Sequence, residues 1–470
     1  MRADPSLRKA SEQPVLLYQR GERIQPRRAK GRFQRLRVAS MLALLGAYYL
    51  VPWLTWKGQP LVWFDLPHRR FHLGALNLAP QDLILLSGLL FVCALTLFLF
   101  TTLAGRLWCG YACPQTVWTE AFLWIEHAFE GDRHARLRLD RSPWTVEKSL
   151  RRGGKHVAWL AFGGITGLSF VAYFVPAREL FTQVVHLDLG GWPLFWSVFY
   201  GFATWGSAGF MRDQVCRYMC PYARFQSAMF DRDTLIIGYD AKRGEPRKSE
   251  ARKLGTPAGD CTDCSLCVQV CPVGIDIRKG LQYECIACAA CVDACDGVMD
   301  AIGKPRGLIR YTTANRDAGK PLRLLRPRTI GYGLVWIGAC VALGVLLLTH
   351  TPVRFDVLRD RHTLVRERAD GSLENLYVFK LTNGDDVIHR FEIEARLDDG
   401  SALRTSPSTI SVSPGLTQAV PVVLRTAPRF ADANRGEAPV LKVRLQLVEP
   451  DGITLEREAR FLSMDPNRSD

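Results

Sequence analysis

Beyond Thr349 the chain has no cysteine, although its 470 residues carry 14. A disulfide-bridged domain of the antibody kind is therefore excluded from the last 120 residues. The first 35 residues hold no long apolar run; they are polar and strongly basic, which excludes a cleavable signal peptide there. The first apolar run is expected to stay as an uncleaved anchor. No Gly-x-Gly-x-x-Gly stands at a strand-to-helix turn, so a flavin or nicotinamide site is not indicated. Acidic residues are in deficit, with 46 Asp and Glu against 61 Lys and Arg, a formal charge of +15. The basic residues are not interleaved with aromatics in a soluble segment, so nucleic acid is excluded as a partner.

Eight of the cysteines form two copies of Cys-x2-Cys-x2-Cys-x3-Cys, offset by 24 residues. The first copy is Cys261, Cys264, Cys267 and Cys271, followed by Pro272; the second is Cys285, Cys288, Cys291 and Cys295. This is the bacterial ferredoxin spacing for [4Fe–4S] clusters, in which the fourth cysteine of each run ligates the other cluster. The expected assignment gives Cys261, Cys264, Cys267 and Cys295 to one cluster, and Cys285, Cys288, Cys291 and Cys271 to the second. Structural zinc prefers Cys-x2-Cys pairs at longer separations. The second run has Asp296 where the first has its proline, so the symmetry is imperfect.

Five apolar stretches approach the length of a membrane helix, roughly Leu36–Trp56, Leu83–Leu103, Val157–Val175, Trp192–Phe210 and Ile330–Thr349. The third and fourth could instead form a re-entrant pair. Lys and Arg number eleven before and including Arg37, three over 57–81, nine over 105–156 and one over 176–191. By the positive-inside rule the N-terminus, the second loop and residues 211–329 are expected in the cytoplasm, and the C-terminal domain in the periplasm. Arg27, Arg28, Lys30, Arg32, Arg35 and Arg37 are expected to touch anionic lipid.

The expected fold is a multi-pass α-helical membrane protein with an inserted 2[4Fe-4S] ferredoxin-like domain and a C-terminal immunoglobulin-like β-sandwich. Its expected parts are a basic N-terminus (1–35), a four-helix membrane region (36–230) and a ferredoxin-like segment (231–329, cluster core 255–300). A fifth span (330–350) and a periplasmic domain (351–470) follow. Lys242–Pro257 reads as a linker, and Pro272-Val-Gly-Ile-Asp-Ile as a turn and strand. About seven short strands are expected after Thr349, from alternation such as Phe391-Glu-Ile-Glu-Ala-Arg-Leu and turns such as Asn383-Gly-Asp and Asp398-Asp-Gly.

A second constellation repeats with a period of 107 residues: Cys109-Gly-Tyr-Ala-Cys113-Pro and Cys216-Arg-Tyr-Met-Cys220-Pro. Spacing i, i+4 would put each pair on one helical face, and the proline suits the first turn of a new helix. Brought together, Cys109, Cys113, Cys216 and Cys220 would make a four-thiolate site for a third cluster or a soft ion such as Cu(I). The bland alternative is four buried small hydrophobes. Packing is the expected role of Cys93 and Cys340. His68, His72, His186 and His350 stand at expected outer boundaries, as metal or quinone ligands or as interface histidines. Glu120 and Glu126 are proton-relay candidates or polar positions on an amphipathic helix.

The chain resembles the FixG/RdxA family of bacterial cytochrome c oxidase accessory proteins over nearly its whole length. The resemblance rests on Ile24-Gln-Pro-Arg, on the segments Trp108–Glu120 and Val215–Gln226, on both cluster runs with Cys295-Asp-Gly-Val-Met, and on Gly307-Leu-Ile-Arg-Tyr311. It implies reduction of Cu(II) to Cu(I) during maturation of a cbb3-type oxidase. The implied cofactors are two [4Fe–4S] clusters, with copper as substrate or transient ligand. The implied partners are oxidase assembly factors, copper-export machinery and an unidentified electron donor. Cys109, Cys113, Cys216 and Cys220 are then the implied catalytic thiols. Two rival readings are a quinol dehydrogenase module and a non-catalytic assembly scaffold.

Overall fold

A computed structural model describes residues 24–67, 69–74, 76–78, 82–321, 323, 325–349, 351, 353–359, 365–384, 387–428, 440–449 and 454–462. Contacts divide the chain into two units: residues up to Phe64 with Leu89–Cys340, and Asp65–Gly88 with residues from Val341 onward.

Among the described residues, three helices are long and apolar enough to cross a bilayer: Arg32–Trp53, Leu83–Ala104 and Pro327–Leu348. Each has 22 residues, about 33 Å at 1.5 Å per residue, enough for a hydrocarbon core of about 30 Å. The second and third leave nearly all of their apolar surface uncovered, with Leu90 and Leu334 well exposed. Water disfavours such a surface by about 25 cal/mol per Å², so it belongs against lipid. The chain is membrane-associated. Cys93 is exposed on the second of these helices rather than packed as expected.

The other two expected spans take a different form. The apolar run from Val157 is the second half of a helix, Val146–Val171, whose first half carries Lys148, Arg151, Arg152 and Lys155. That helix stops short of Val175 because the chain turns ahead of Pro176, which caps the following helix. The run from Trp192 is an α-helix over Gly191–Thr204 that continues as π-helix over Trp205–Met211. These two elements pack along small residues. A Cβ on Gly163 would lie 2.8 Å from the Gly201 carbonyl oxygen, and one on Gly167 would collide with that of Ser197. Gly163-x3-Gly167 against Ser197-x3-Gly201 lets the two backbones touch, as in closely packed membrane helices.

The cluster-bearing fold is wider than its expected core of 255–300. Ile236–Tyr239 pairs antiparallel with Ile309–Thr312, and Ile237 and Ile309 are buried with Val270, Val273, Ile275, Ile277 and Ile286. The expected strand after Pro272 is a turn followed by a 3-10 helix, Ile277–Lys279. Asp276 caps that turn by accepting the Arg278 N–H at 3.1 Å, a local bond that competes with strand pairing. The expected linker is folded, with helices Ala241–Gly244 and Lys248–Leu254. Asp240 caps the first, and Arg243 reaches Asp260 at 2.5 Å. Charges that look solvated in sequence are paired in space.

The C-terminal β-rich domain has nine described strands rather than about seven, and their pairings are antiparallel. The order is Thr454–Leu462, Val440–Val448, His389–Leu397, Ala402–Ser406, Thr417–Arg425, Leu373–Asn383, Val353–Arg359. Thr409–Val412 and Arg366–Glu367 pair off this path. His389–Leu397 alternates strictly between buried and exposed residues, and Phe355, Tyr377, Phe379, Phe391 and Phe461 fill the core. The expected Asp398-Asp-Gly turn is present, with Gly400 at φ 85°. Asp385 lies outside the described residues.

Candidate functional site

The two cysteine runs line two small apolar cavities. Cys261, Cys264, Cys267 and Cys295 line one cavity with Val298, Met299, Leu308 and Ile309. Cys271, Cys285, Cys288 and Cys291 line the other, with Cys267 at its edge. The 24-residue repeat recurs in the backbone. Asp263 and Ala287 have φ 56° and 52°, while Ser265 and Ala289 have 54° and 57°. Left-handed non-glycine residues cost about 1–2 kcal/mol each, and such strain collects where a loop is shaped around a ligand. Four thiols around each apolar hollow fit the chemistry of a [4Fe–4S] cluster. Among the described residues, no three His, Cys, Asp or Glu side chains are close enough to share a single metal ion.

Burial pushes the thiols of Cys271 and Cys295 up to about 12, and those of Cys267 and Cys285 up to about 11. Metal binding must therefore displace protons. The Arg278 charge acts against burial at Cys267. That guanidinium is fixed by Asp263 at 2.6 Å and Asp276 at 2.8 Å. Cys264 is exposed, so the first cavity has an edge facing outward.

The membrane-boundary cysteines do not share helical faces as expected. Cys109 lies in the short helix Leu107–Tyr111, whereas Cys113 is the extended N-cap of Pro114–Glu130. Cys216 lies in a π-helical turn, Val215–Met219, and Cys220 is the extended N-cap of Pro221–Met229. The reason is steric: a residue before proline is pushed out of the α region. The prolines do open new helices, as the sequence predicts. Charges act between the two motifs, Cys216 on Cys109 and Cys113 on Cys216. After burial, which pushes Cys109 and Cys216 both up to about 12, Cys109 feels Cys113, Arg106 and Cys216, and Cys216 feels Cys113, Cys220, Asp213 and Arg106. Cys113 in turn feels Cys220. The Cys109 thiol donates to the Gln226 Oε1 at 3.2 Å.

This quartet rests on the loop that supplies the second cavity. A Cβ on Gly110 would lie 2.7 Å from the Ile286 carbonyl oxygen and 2.9 Å from the Cys288 Cα. Tyr111 meets the Tyr311 hydroxyl at 3.2 Å, and Tyr311 donates to the Ala287 carbonyl at 2.6 Å. From the second motif, Arg217 donates to the Val273 carbonyl at 2.5 Å, two residues past Cys271. Sequence reasoning missed Arg106, a buried guanidinium that donates to the carbonyls of Tyr283 and Ala223. Its charge acts on Cys109, Cys216 and Cys285. A lone arginine just after an apolar run was the available signal.

Glu120 pairs with Arg37 at 2.8 Å and accepts from Gln34 at 2.9 Å. Glu126 is not a surface position: it is buried among Arg136 (3.2 Å), Arg212 (2.8 Å) and Lys155 (3.8 Å). His72 is buried in the strand Arg70–Leu73, and His186 is an exposed helix C-cap. His68 and His350 lie outside the described residues.

Residues 211–314 match the family described as a 4Fe-4S dicluster domain, and 86–130 match a 4Fe-4S binding domain. Residues 343–464 match the IG-like fold at the C-terminus of FixG. The chain is 42% identical to nitrogen fixation protein FixG of Rhizobium meliloti over 411 residues, 78% of each chain. It is 40% identical to protein RdxA of Cereibacter sphaeroides, over 91% of this chain and 94% of that one. Protein RdxB of the same organism is 38% identical over 89% and 92%. Two ferredoxin-type cysteine sets, apolar helices and these relatives make this an iron–sulfur electron-transfer protein of the membrane, and the chain belongs to the FixG/RdxA family.

Proposed function

We propose that this protein reduces Cu(II) to Cu(I) by single electrons during assembly of a cbb3-type cytochrome c oxidase. When bound, the two [4Fe–4S] clusters supply one-electron transfer; Cu(II) is the substrate. Cys261, Cys264, Cys267 and Cys295 hold one cluster near the surface, with Cys264 exposed. Cys271, Cys285, Cys288 and Cys291 hold the other beneath the membrane-boundary thiols. The observation that carries the reading is the contact of Gly110, between Cys109 and Tyr111, with the backbone of Cys288. It supports an order of centres running from the exposed set, through the buried set, to Cys109, Cys113, Cys216 and Cys220. Four soft thiolates there would hold either a third cluster or Cu(I).

The 4Fe-4S binding family match over 86–130, which includes Cys109 and Cys113, favours a third cluster at this quartet over a lone copper ion. Copper would then be reduced at its edge. In this reading five segments cross the membrane. The close-packed elements at Gly163 and Gly201 are two of them, the cluster-bearing domain is cytoplasmic, and the C-terminal immunoglobulin-type sandwich is periplasmic. The partners are anionic lipid, copper-export and oxidase-assembly factors, and a separate electron donor.

The test is anaerobic. Dithionite-reduced protein, freed of excess reductant, is mixed with Cu(II) while cluster absorbance and a Cu(I) chelator are followed. Reoxidation of the clusters in step with Cu(I) formation is expected, and it should be lost in the Cys109, Cys113, Cys216 and Cys220→Ser variant. Clusters that stay reduced in the presence of Cu(II) would sink the proposal and make quinone the next acceptor to try.

A further inference from the structure

A cavity of about 990 Å³ opens beside the cluster-bearing helices and takes no part in holding either cluster. Its floor is apolar and is made by Leu266, Val270, Ala290 and Ala294, each one residue from a cluster cysteine. Its rim is basic. The segment Pro26–Lys30 is held by a main-chain bond from Arg27 N–H to the Gln269 carbonyl at 2.7 Å and by the Arg136 guanidinium donating to the Pro26 carbonyl at 2.8 Å. This places Arg27, Arg28 and Lys30 around the opening. Arg28 lies over the Trp124 ring at 5.8 Å, and among the described residues no carboxylate pairs with Arg27, Arg28 or Lys30. Arg136, also in the lining, is buried and its Nε has no hydrogen-bond partner.

An apolar floor, an aromatic wall and a rim of unpaired cations suit a ligand with a flat ring at one end and a phosphate at the other. Ligand cavities run to roughly 1,000 Å³, and unpaired arginines recognise phosphate through paired N–H groups. A floor adjoining one-electron centres narrows the ring to one that exchanges single electrons; nicotinamide passes two electrons together as one hydride. We propose that this cavity binds an aromatic phosphomonoester of the flavin mononucleotide class, with the phosphate on Arg27, Arg28 and Lys30 and the ring on the Leu266–Ala294 floor. The absence of Gly-x-Gly-x-x-Gly excludes only the strand-to-helix mode of nucleotide binding. The choice of ring rests on the iron–sulfur reading; the binding itself does not rest on copper reduction.

The test uses the full-length holoprotein in phosphatidylcholine nanodiscs, titrated with flavin mononucleotide while flavin fluorescence is read. Saturable quenching is expected. Riboflavin, which lacks the phosphate, should bind at least about tenfold more weakly, equal to about 1.4 kcal/mol. A charge-reversed rim, Arg27→Glu with Arg28→Glu and Lys30→Glu, should weaken flavin mononucleotide at least as much while cluster absorbance stays at the wild-type level. Trp124→Ala provides a second variant that leaves the rim charge intact and should also weaken binding. Absence of saturable quenching, or equal affinity for riboflavin, would overturn the proposal. So would displacement of the flavin by phosphatidylglycerol in the disc, which would make the cavity a lipid-headgroup site. Copper reduction can fail with flavin binding intact, and the reverse, so the two readings are judged separately.

Discussion

Asp293 caps a helix that begins far before it in sequence: its carboxylate accepts the N–H of Gln34 at 2.7 Å and of Phe33 at 3.2 Å. The residue that would ordinarily cap this helix, Gly31, has no side chain to do so, and a Cβ there would collide with the Asp293 carboxylate. Asp293 sits between Cys291 and Cys295 on the helix Ala290–Ala301. One carboxylate therefore ties the cluster-bearing fold to the N-terminus of the first membrane helix, where its negative charge also meets the positive end of the helix dipole.

Asp293→Ala should cost about 1–2 kcal/mol, the upper range for a lost cap because the orphaned Gln34 N–H is buried and the Phe33 N–H partly so. Amide exchange at Phe33 and Gln34 should accelerate while cluster absorbance is kept. Gly31→Ala should produce the same local loosening by displacing the carboxylate. Unchanged exchange in both variants would mean the cap is dispensable.

Gly110→Ala tests the seat of the thiol quartet. The added methyl would lie 2.7 Å from the Ile286 oxygen and 2.9 Å from the Cys288 Cα, both backbone atoms that cannot rotate away. Overpacking of this kind costs about 1–3 kcal/mol. The expected outcome is a retained first cluster, a weakened second one visible by electron paramagnetic resonance, and slower Cu(I) formation. Gly206→Ala, where a Cβ meets open space, should leave all three unchanged.

If each run's fourth cysteine completes the other cluster, as the spacing predicts, a crossed pattern follows. Cys271→Ser should perturb the cluster of Cys285, Cys288 and Cys291, and Cys295→Ser the cluster of Cys261, Cys264 and Cys267. Resonance spectra of each variant, compared with Cys264→Ser and Cys288→Ser, would show which centre changes. If Cys271→Ser matched Cys264→Ser, the ligand assignment would be wrong.

Much of this was legible because iron–sulfur ligation is written in spacing: the eight ferredoxin cysteines line two cavities. Strict alternation likewise announced the strand His389–Leu397. What stayed hidden depends on pairing across long separations. The strand Ile236–Tyr239 finds its partner at Ile309–Thr312, and no local period foretells that. Glu126 looked like a polar face position until the cations of three other elements closed around it. The i, i+4 spacing of Cys109 and Cys113 suggested one helix, but Pro114 fixes the preceding cysteine in an extended state, and a motif read without its proline's steric demand gives the wrong geometry.

A last prediction concerns acid. The Asp240 carboxyl is held below the usual carboxylate range, first by the Arg310 guanidinium at 2.9 Å and then by the Arg243 N–H. It joins the helix Ala241–Gly244 to the strand Ile309–Thr312. Because its folded pKa is lowered, the bond contributes stability above the unfolded value of about 3.9, and the contribution is lost as pH falls through the folded pKa. Arg310 is about one-third exposed, so screening limits the ion pair to about 0.5 kcal/mol; asparagine keeps the cap, since it accepts the Arg243 N–H as aspartate does. Asp240→Asn should therefore lie below wild type by that amount from pH 7 to pH 5, in denaturant unfolding followed by circular dichroism. The gap should narrow below pH 4, where wild type loses the charge that the variant never had. A gap that widened on acidification would assign the stabilisation to some other group.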